Sequence, residues 1–388
     1  MKEGPLKVAM IIPDDRDEHR RPDLPEPWFG PAPNTLRLGL AECPDVELHI
    51  LSCERQLLPA SRQLSENTYF HPVPVSRWAY MRTCYLGSIR ALRRTVAQIR
   101  PDVVHGQGTE RYAGLGAAYS RRPNVITILG NMRAVARQRR ARFLSFHWIT
   151  ARLETVALRR TDGVLCNSEY TRSEVKSVAR RTWSVPNGLS PEFFGPRTVA
   201  RTGVPRIVNL GHIHPYKGQV ELLQHMQQLH AGGQRFQLEF IGGTDAQTAY
   251  GQNFLRLVEQ ASHEGWARHL GALPREEVIR HLDGASAAVH VSREESFGLA
   301  VAEALAREVK MFAFTAGGVA DIVAGVSSVE AFAPNAWEDL VRALGAWLKA
   351  GAPATATTAK IMQARYSPRA IAARHVEVYR ELLEAARR

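Results

Sequence analysis

Short runs rich in valine and isoleucine recur along this chain, separated by connections long enough to hold a helix. The first half carries KVAMIIP, VELHILS, DVVHG, NVITILG, GVLCNS and TWSVPNG. The second repeats the rhythm with RIVNLG, FQLEFIGG, HLGAL, AAVHVS, KMFAFTA and VEAFAP. Runs of this kind are strands buried on both faces, which is the situation in a parallel sheet covered by crossover helices. A chain of 388 residues also exceeds the roughly 250 to 300 residues that one hydrophobic core serves. The expected fold is therefore α/β, with two Rossmann-like doubly wound domains facing a central cleft. We place an N-terminal domain at 1–190 and a C-terminal domain at 191–365. A terminal amphipathic helix at 366–388 is expected to pack back toward the N-terminal domain. The segment 193–206, FFGPRTVARTGVPR, has two glycines, two prolines and no periodicity, and reads as the linker.

Composition narrows the class. Apolar residues make up 45% and charged residues 23%, and the uncharged apolar runs fall short of the roughly 18 residues that span a bilayer. The N-terminal MKEGPLKVAMIIP lacks a small-residue cleavage site and runs into the acidic DDRDE, so it reads as a first strand. A cytoplasmic location follows. Cys43, Cys53, Cys84 and Cys166 form no CxxC pair and no metal-ligand spacing with histidine. The net charge of +12 is uneven: residues 1–195 hold 29 Lys and Arg against 19 Asp and Glu, the remainder 21 against 19. Anionic partners should therefore meet the N-terminal half. No pattern of stacking aromatics or recognition helix accompanies that charge, so nucleic acid is not an expected partner.

Ligands of doubly wound sheets bind where strands turn into helices. The richest such turn is AAVHVSREESFGLAVAEALA, residues 287–306. A strand ends at Ser292 and a helix begins near Ser296 to Gly298. Small residues there let an anion approach the free amides of Phe297, Gly298 and Leu299. Glu303 interrupts an apolar helix one turn deeper, where a carboxylate can accept two hydrogen bonds from a ribose diol. Glu295 lies before the helix, within reach of a sugar beyond the phosphates, whereas Glu294 reads as a solvated charge. A second turn, RIVNLGHIHPYKGQ, puts Lys217 in the first turn of a helix, where its cation can meet the charge of a departing diphosphate. His212 in the same turn can donate a hydrogen bond. In FIGGTD, Gly243 permits close backbone approach, and Leu273 in LGALPREEV can wall a nucleobase.

Glu295, seven intervening residues and Glu303, within EESFGLAVAEALA, resemble the E-x7-E motif of the family 4 glycosyltransferases. The resemblance extends to GHIHPYKGQ, FIGGTD, LGALPREEV, TAGGVADIV, CNSEYTRSEV and VPNGL, in the family's order, across most of residues 100–325. It implies the GT-B fold and a hexosyltransferase-like enzyme that uses a UDP- or GDP-linked sugar donor. It also implies transfer with retention and no metal or other cofactor. In that family the second glutamate binds ribose and the first contacts the donor sugar, matching the placing of Glu303 and Glu295. Lys217, His212 and Glu295 are then the catalytic set. Other readings are an epimerase or phosphorylase of the same fold, or a non-catalytic sugar-nucleotide-binding protein.

The acceptor side departs from the family more. Arginine is usual where this chain has His212, and histidine is common where it has Leu129. A Gly-Gly loop after the first strand is replaced by the Pro-rich PDDRDEHRRPDLPEPWFGPAP, residues 13–33, with Gly30 as the nearest candidate. His105, at the end of DVVHG, and Asn131 are further acceptor-side candidates. From 131 to 154 the chain sets Arg133, Arg137, Arg139, Arg140 and Arg142 in one helix-compatible stretch beside Phe143, Leu144, Phe146, Trp148 and Ile149. Basic residues next to bulky apolar ones suit an anionic membrane surface. The expected acceptor is a glycan or a lipid-linked molecule, used in building a cell-surface polysaccharide, with peripheral attachment at the inner face of the membrane.

Overall fold

The computed structural model describes residues 4–16, 24–55, 61–76, 83–197, 199, 201, 203–354 and 357–387. The chain divides into two compact units, 1–190 with 366–388, and 191–365. Residues 17–23 of the Pro-rich insertion lie outside the described residues.

The first unit is built on an eight-stranded sheet of order β3-β4-β2-β1-β5-β6-β7-β8. Its strands are β1 Leu6–Ile11, β2 Val46–Glu54, β3 Gln63–Ser65, β4 Thr68–Pro74, β5 Val103–Gln107, β6 Asn124–Ile128, β7 Gly163–Cys166 and β8 Thr182–Ser184. All pairs are parallel except the β3–β4 hairpin. Those two strands are absent from the sequence pattern because β3 is only three residues long and Pro72 and Pro74 interrupt β4. Proline is tolerated there at the rim of a sheet, where a missing ladder donor costs little. Strands β5, β6 and β7 are wholly buried, and apolar clusters cover both faces.

The C-terminal helix Pro368–Arg387 belongs to this first unit and packs on the helix Pro31–Ala41. Gly39 makes the contact possible, since a Cβ there would lie 2.1 Å from the Pro368 carbonyl oxygen. Inside, His105 is fully buried. Its Nδ1 lies 2.6 Å from the Tyr379 hydroxyl and its Nε2 2.7 Å from Thr127 Oγ1. Nδ1 thus ties the terminal helix to the sheet, and Nε2 ties β5 to β6. Burial first, and His375 second, push the His105 pKa well below the usual range. The expectation of an acceptor-facing histidine is corrected to a core contact.

The second unit carries a six-stranded, wholly parallel sheet of order β11-β10-β9-β12-β13-β14. The strands are β9 Arg206–Leu210, β10 Gln237–Ile241, β11 Ala267–His269, β12 Ala287–His290, β13 Lys310–Phe314 and β14 Val329–Phe332. The HLGAL run mostly follows β11 as a turn. The start of the expected linker is fastened to this unit. Arg307, 2% exposed, donates to the carbonyls of Phe193, Gly195 and Pro196 and to Asp283. A buried guanidinium needs this many acceptors, and an apolar residue would leave three carbonyls unpaired.

Candidate functional site

At the carboxyl ends of β9 and β12, two turns are locked together. Gly218, with φ of 72°, sits where a Cβ would come 2.9 Å from the Val291 carbonyl oxygen. The Arg293 amide donates to the Tyr216 carbonyl at 2.7 Å. Lys217 therefore stands on a short 3-10 turn, Pro215–Lys217, and not in the first turn of the helix Gln219–Ala231 as expected, because left-handed Gly218 separates the two. The geometry delivers its ammonium to Glu295. Ser292 Oγ donates to the same carboxylate oxygen, Oε1, at 3.1 Å, and His290 Nε2 lies 3.2 Å from it, close but not aligned for a hydrogen bond. Among the described residues Oε2 of Glu295 has no partner. Burial opposes ionisation here, but His290 and then Lys217 outweigh it and hold Glu295 at about 2. His290 was not among the expected site residues. Its signal was a histidine closing the strand AAVH, a polar residue in a wholly buried run.

The turn 295–298 leads into the helix Leu299–Ala306. Gly298 is the N-cap at φ 105°, with no side-chain cap. The amides of Leu299 and Ala300 have no partner within the described residues, while those of Val301 and Ala302 return to the Gly298 carbonyl. TAGG supports this turn from below: the Gly318 amide donates to the Glu295 carbonyl at 2.9 Å, and a Cβ on Gly318 would meet the Ser296 oxygen at 2.5 Å. Phe297 is buried and Leu299 half-buried. Glu303 projects from the same helix with no hydrogen bond or ion pair among the described residues. Desolvation raises it to about 7, only partly opposed by the charge of Arg275. A half-buried carboxylate with no partner among the described residues, beside open helix amides, can accept hydroxyl hydrogens.

His212 is exposed, on the turn after β9, with its ring 3.4 Å from where a Gly243 Cβ would stand. Gly242 is the tighter of the two glycines, its Cβ position lying 2.0 Å from the Gly211 oxygen. Leu273 is half-buried just ahead of the helix Arg275–Gly284. Lys217, Glu295, Ser292 and His290 are thus joined by direct contacts, and Glu303, Phe297, Gly298 and Leu299 share one strand-turn-helix with Glu295.

The first unit places its candidates on other turns. Gly30, φ 78°, caps the helix Pro31–Ala41, with Asp15 Oδ2 3.4 Å from its Cβ position. Buried Asp14 and Arg16 pair at 2.8 Å and organise that loop. Asn131 caps the helix Met132–Gln138, accepting from the Ala134 amide at 2.9 Å, while its buried Nδ2 finds no partner among the described residues. The Nδ2 of Asn167, on the neighbouring strand end, is in the same state. Arg140 and Leu144, both at positive φ, break the arginine-rich stretch into two helices, Met132–Gln138 and Phe146–Arg160, where one was expected. The intervening turn leaves Phe143 73%, Leu144 61% and Phe146 47% exposed. No helix among the described residues is long and apolar enough to cross a membrane.

Comparison with known proteins agrees with this architecture. Residues 194–364 match the family described as Glycosyl transferases group 1, and residues 35–193 match Glycosyltransferase Family 4. No curated protein sequence matches. Among solved structures, sucrose-phosphate synthase from Thermosynechococcus elongatus superposes with a TM-score of 0.75 at 18% identity, covering 98% of this chain and 99% of that one. The HepE protein of Anabaena, in complex with UDP and glucose, gives 0.67 at 14%, covering 96% and 99%. The lipopolysaccharide outer core galactosyltransferase WaaB gives 0.65 at 13%, covering 97% and 99%. With the two family matches running contiguously from residue 35 to 364, this chain belongs to the family 4 glycosyltransferases of GT-B fold.

Proposed function

We propose that the protein transfers a hexose from a nucleoside diphosphate sugar to a glycan or lipid-linked acceptor, with retention of anomeric configuration. The observation that carries this is Glu303, half-buried and without a partner among the described residues, one turn inside a helix whose first amides are open. The diphosphate takes those amides and Lys217, the ribose diol takes Glu303, and the sugar lies toward Glu295. The HepE structures hold UDP and UDP-glucose, which supports a uridine donor here. In the step itself the acceptor oxygen bonds to the anomeric carbon on the face the diphosphate leaves, and the departing phosphate oxygen takes the acceptor proton. Lys217 and the amides stabilise the charge that develops. No metal is assigned a part, so turnover is expected to persist in excess chelator. A thermal-shift screen of UDP, GDP, ADP and their sugars tests the donor side, since a ligand of the native state raises Tm. If no nucleotide or nucleotide sugar shifts Tm, the reading fails.

The acceptor side rests on the turn 139–146. Arg139, Arg140 and Arg142 are exposed beside Phe143, Leu144 and Phe146, and Phe143 packs edge-on to Trp148 at 4.8 Å. Arg137 is ion-paired with Glu174. Projecting apolar side chains ringed by guanidiniums fit the interface of an anionic bilayer, where each basic residue contributes about 1 kcal/mol. We propose that the protein works at such a surface, on an acceptor of a cell-surface glycan. Co-sedimentation with anionic vesicles at low salt should be lost on changing Arg137, Arg139 and Arg140 to Ser. Equal recovery of both proteins in the supernatant leaves a soluble acceptor.

A further inference from the structure

The amino ends of strands β6 to β8, opposite the edge where doubly wound folds bind their substrates, carry a feature the transfer reaction does not use. Arg90, Arg93 and Arg94 of the helix Leu86–Ile99, with Arg121 and Arg122 of the loop entering β6, line an open cavity of about 580 Å³. Its remaining wall is Ser120 and small aliphatic side chains. Arg121 and Arg122 also border a second cavity of about 430 Å³, which adds Arg180, Arg181 and a single acid, Asp162. That acid is committed: it accepts from the Asn124 amide at 3.0 Å and Nδ2 at 3.1 Å and lies 3.8 Å from Arg180. The other six guanidiniums have no acidic partner among the described residues. Arg121 holds φ at 63°, a region where glycine is the easy choice, yet the loop places a charged side chain there.

Uncompensated like charge around a concavity concentrates the field and draws counter-ions of opposite sign. Guanidinium forks match carboxylate and phosphate groups two bonds at a time. No aromatic ring lines either cavity, so there is no platform for stacked bases. The bulky apolar residue in the lining, Leu382, is buried and does not project as Phe143, Leu144 and Phe146 do. We propose that the joined cavities form a binding groove for a chain-like polyvalent anion bearing phosphate or carboxylate groups. This groove is independent of the nucleotide-sugar reading.

The test is calorimetric titration of the full chain with inorganic tripolyphosphate and, separately, with an oligogalacturonate, which distinguishes phosphate from carboxylate recognition. The R93Q/R94Q/R121Q variant removes three charges from the groove, and R137S/R139S/R140S removes three from the opposite edge. Saturable binding of at least one probe is expected, weakened at least about tenfold by the first variant and less than about twofold by the second. The nucleotide-induced Tm shift of the groove variant should match wild type, showing an intact fold. Three results overturn the proposal: no saturable binding of either probe, equal losses in the two variants, or short duplex DNA binding as tightly as both probes.

Discussion

Two helices of this molecule begin at the carboxyl end of a parallel strand, and their N-termini are treated in opposite ways. In the first unit, the helix Met132–Gln138 is capped by Asn131, and the buried carboxylate of Glu154 accepts the amides of Met132 and Arg133, both at 3.0 Å. Thr109 donates to the same carboxylate at 2.5 Å. The protein has filled that anion site with its own anion. In the second unit, the helix Leu299–Ala306 has a glycine cap, no capping side chain and two open amides. Similar strand-to-helix turns thus give a closed terminus in one unit and, on the proposed reading, a ligand site in the other, according to whether an internal carboxylate is aimed at the helix terminus.

If the open terminus is where a diphosphate departs, removing its cation should have the largest effect. Lys217→Ala is expected to lower turnover about 100-fold or more, the cost of losing a charge partner made in the transition state. Glu295 loses a contact at the same time, so its pKa should rise from about 2 toward the ordinary carboxylate range. Steady-state kinetics across pH would show both, and near wild-type turnover would break the comparison. Glu303→Ala comes next. Losing hydrogen bonds to a ribose diol should weaken nucleotide binding by about 1 to 3 kcal/mol, or about 5- to 150-fold. The diol donates to the ionised carboxylate, and Glu303 sits at about 7 in the free protein. Affinity should therefore rise as pH climbs from 6 to 8 and fall on acidification, with nucleotide binding itself lowering the Glu303 pKa. Nucleotide phosphate also titrates in this range, so Glu303→Gln is the control. If wild type and Glu303→Gln show the same pH slope, the ribose assignment fails.

The strand rhythm, the two-unit plan and the strand-turn-helix that carries Glu295 and Glu303 were legible because they rest on local pattern: buried runs, small residues at a turn, a lone carboxylate in an apolar helix. What sequence could not show was where neighbouring turns meet. The Lys217–Glu295 contact spans 78 positions and depends on Gly218 fitting against Val291. His105 stands in the middle of β5, not at its end, and its buried ring meets Tyr379 from 274 residues away. Glu154 reads in sequence as an ordinary helix charge, and its role as an internal anion exists only once the loop after β6 folds over it.

The filled terminus can be tested by emptying it. Glu154→Ala leaves the Thr109 hydroxyl and two buried amides without their acceptor, which should cost about 1 to 3 kcal/mol. For a unit of this size that lowers Tm by roughly 2 to 10 °C. Nucleotide affinity should not change, since none of these groups lies in the second unit. A fall in nucleotide affinity with no change in melting would mean that the two termini are not divided between scaffold and ligand.

The smallest effect is expected at His212, and it sharpens the account of the open terminus. Lys217 is the only cation directly contacting Glu295 Oε1 from the turn after β9, and it is already committed to that carboxylate. His212 is exposed in the same turn and borders Gly243, where the missing side chain leaves room. An arginine there would bring a permanent charge and a two-pronged donor in place of one imidazole hydrogen bond. His212→Arg should therefore keep turnover or raise it by about two- to tenfold, with the gain in kcat, because the added charge matters most as the leaving group becomes more negative. A lower KM at unchanged kcat would mean the position binds ground state and transition state alike. Turnover abolished in a variant that melts normally would assign His212 a task that charge cannot replace, such as fixing the turn against Gly243, and the phosphate would then be left to Lys217 and the open amides.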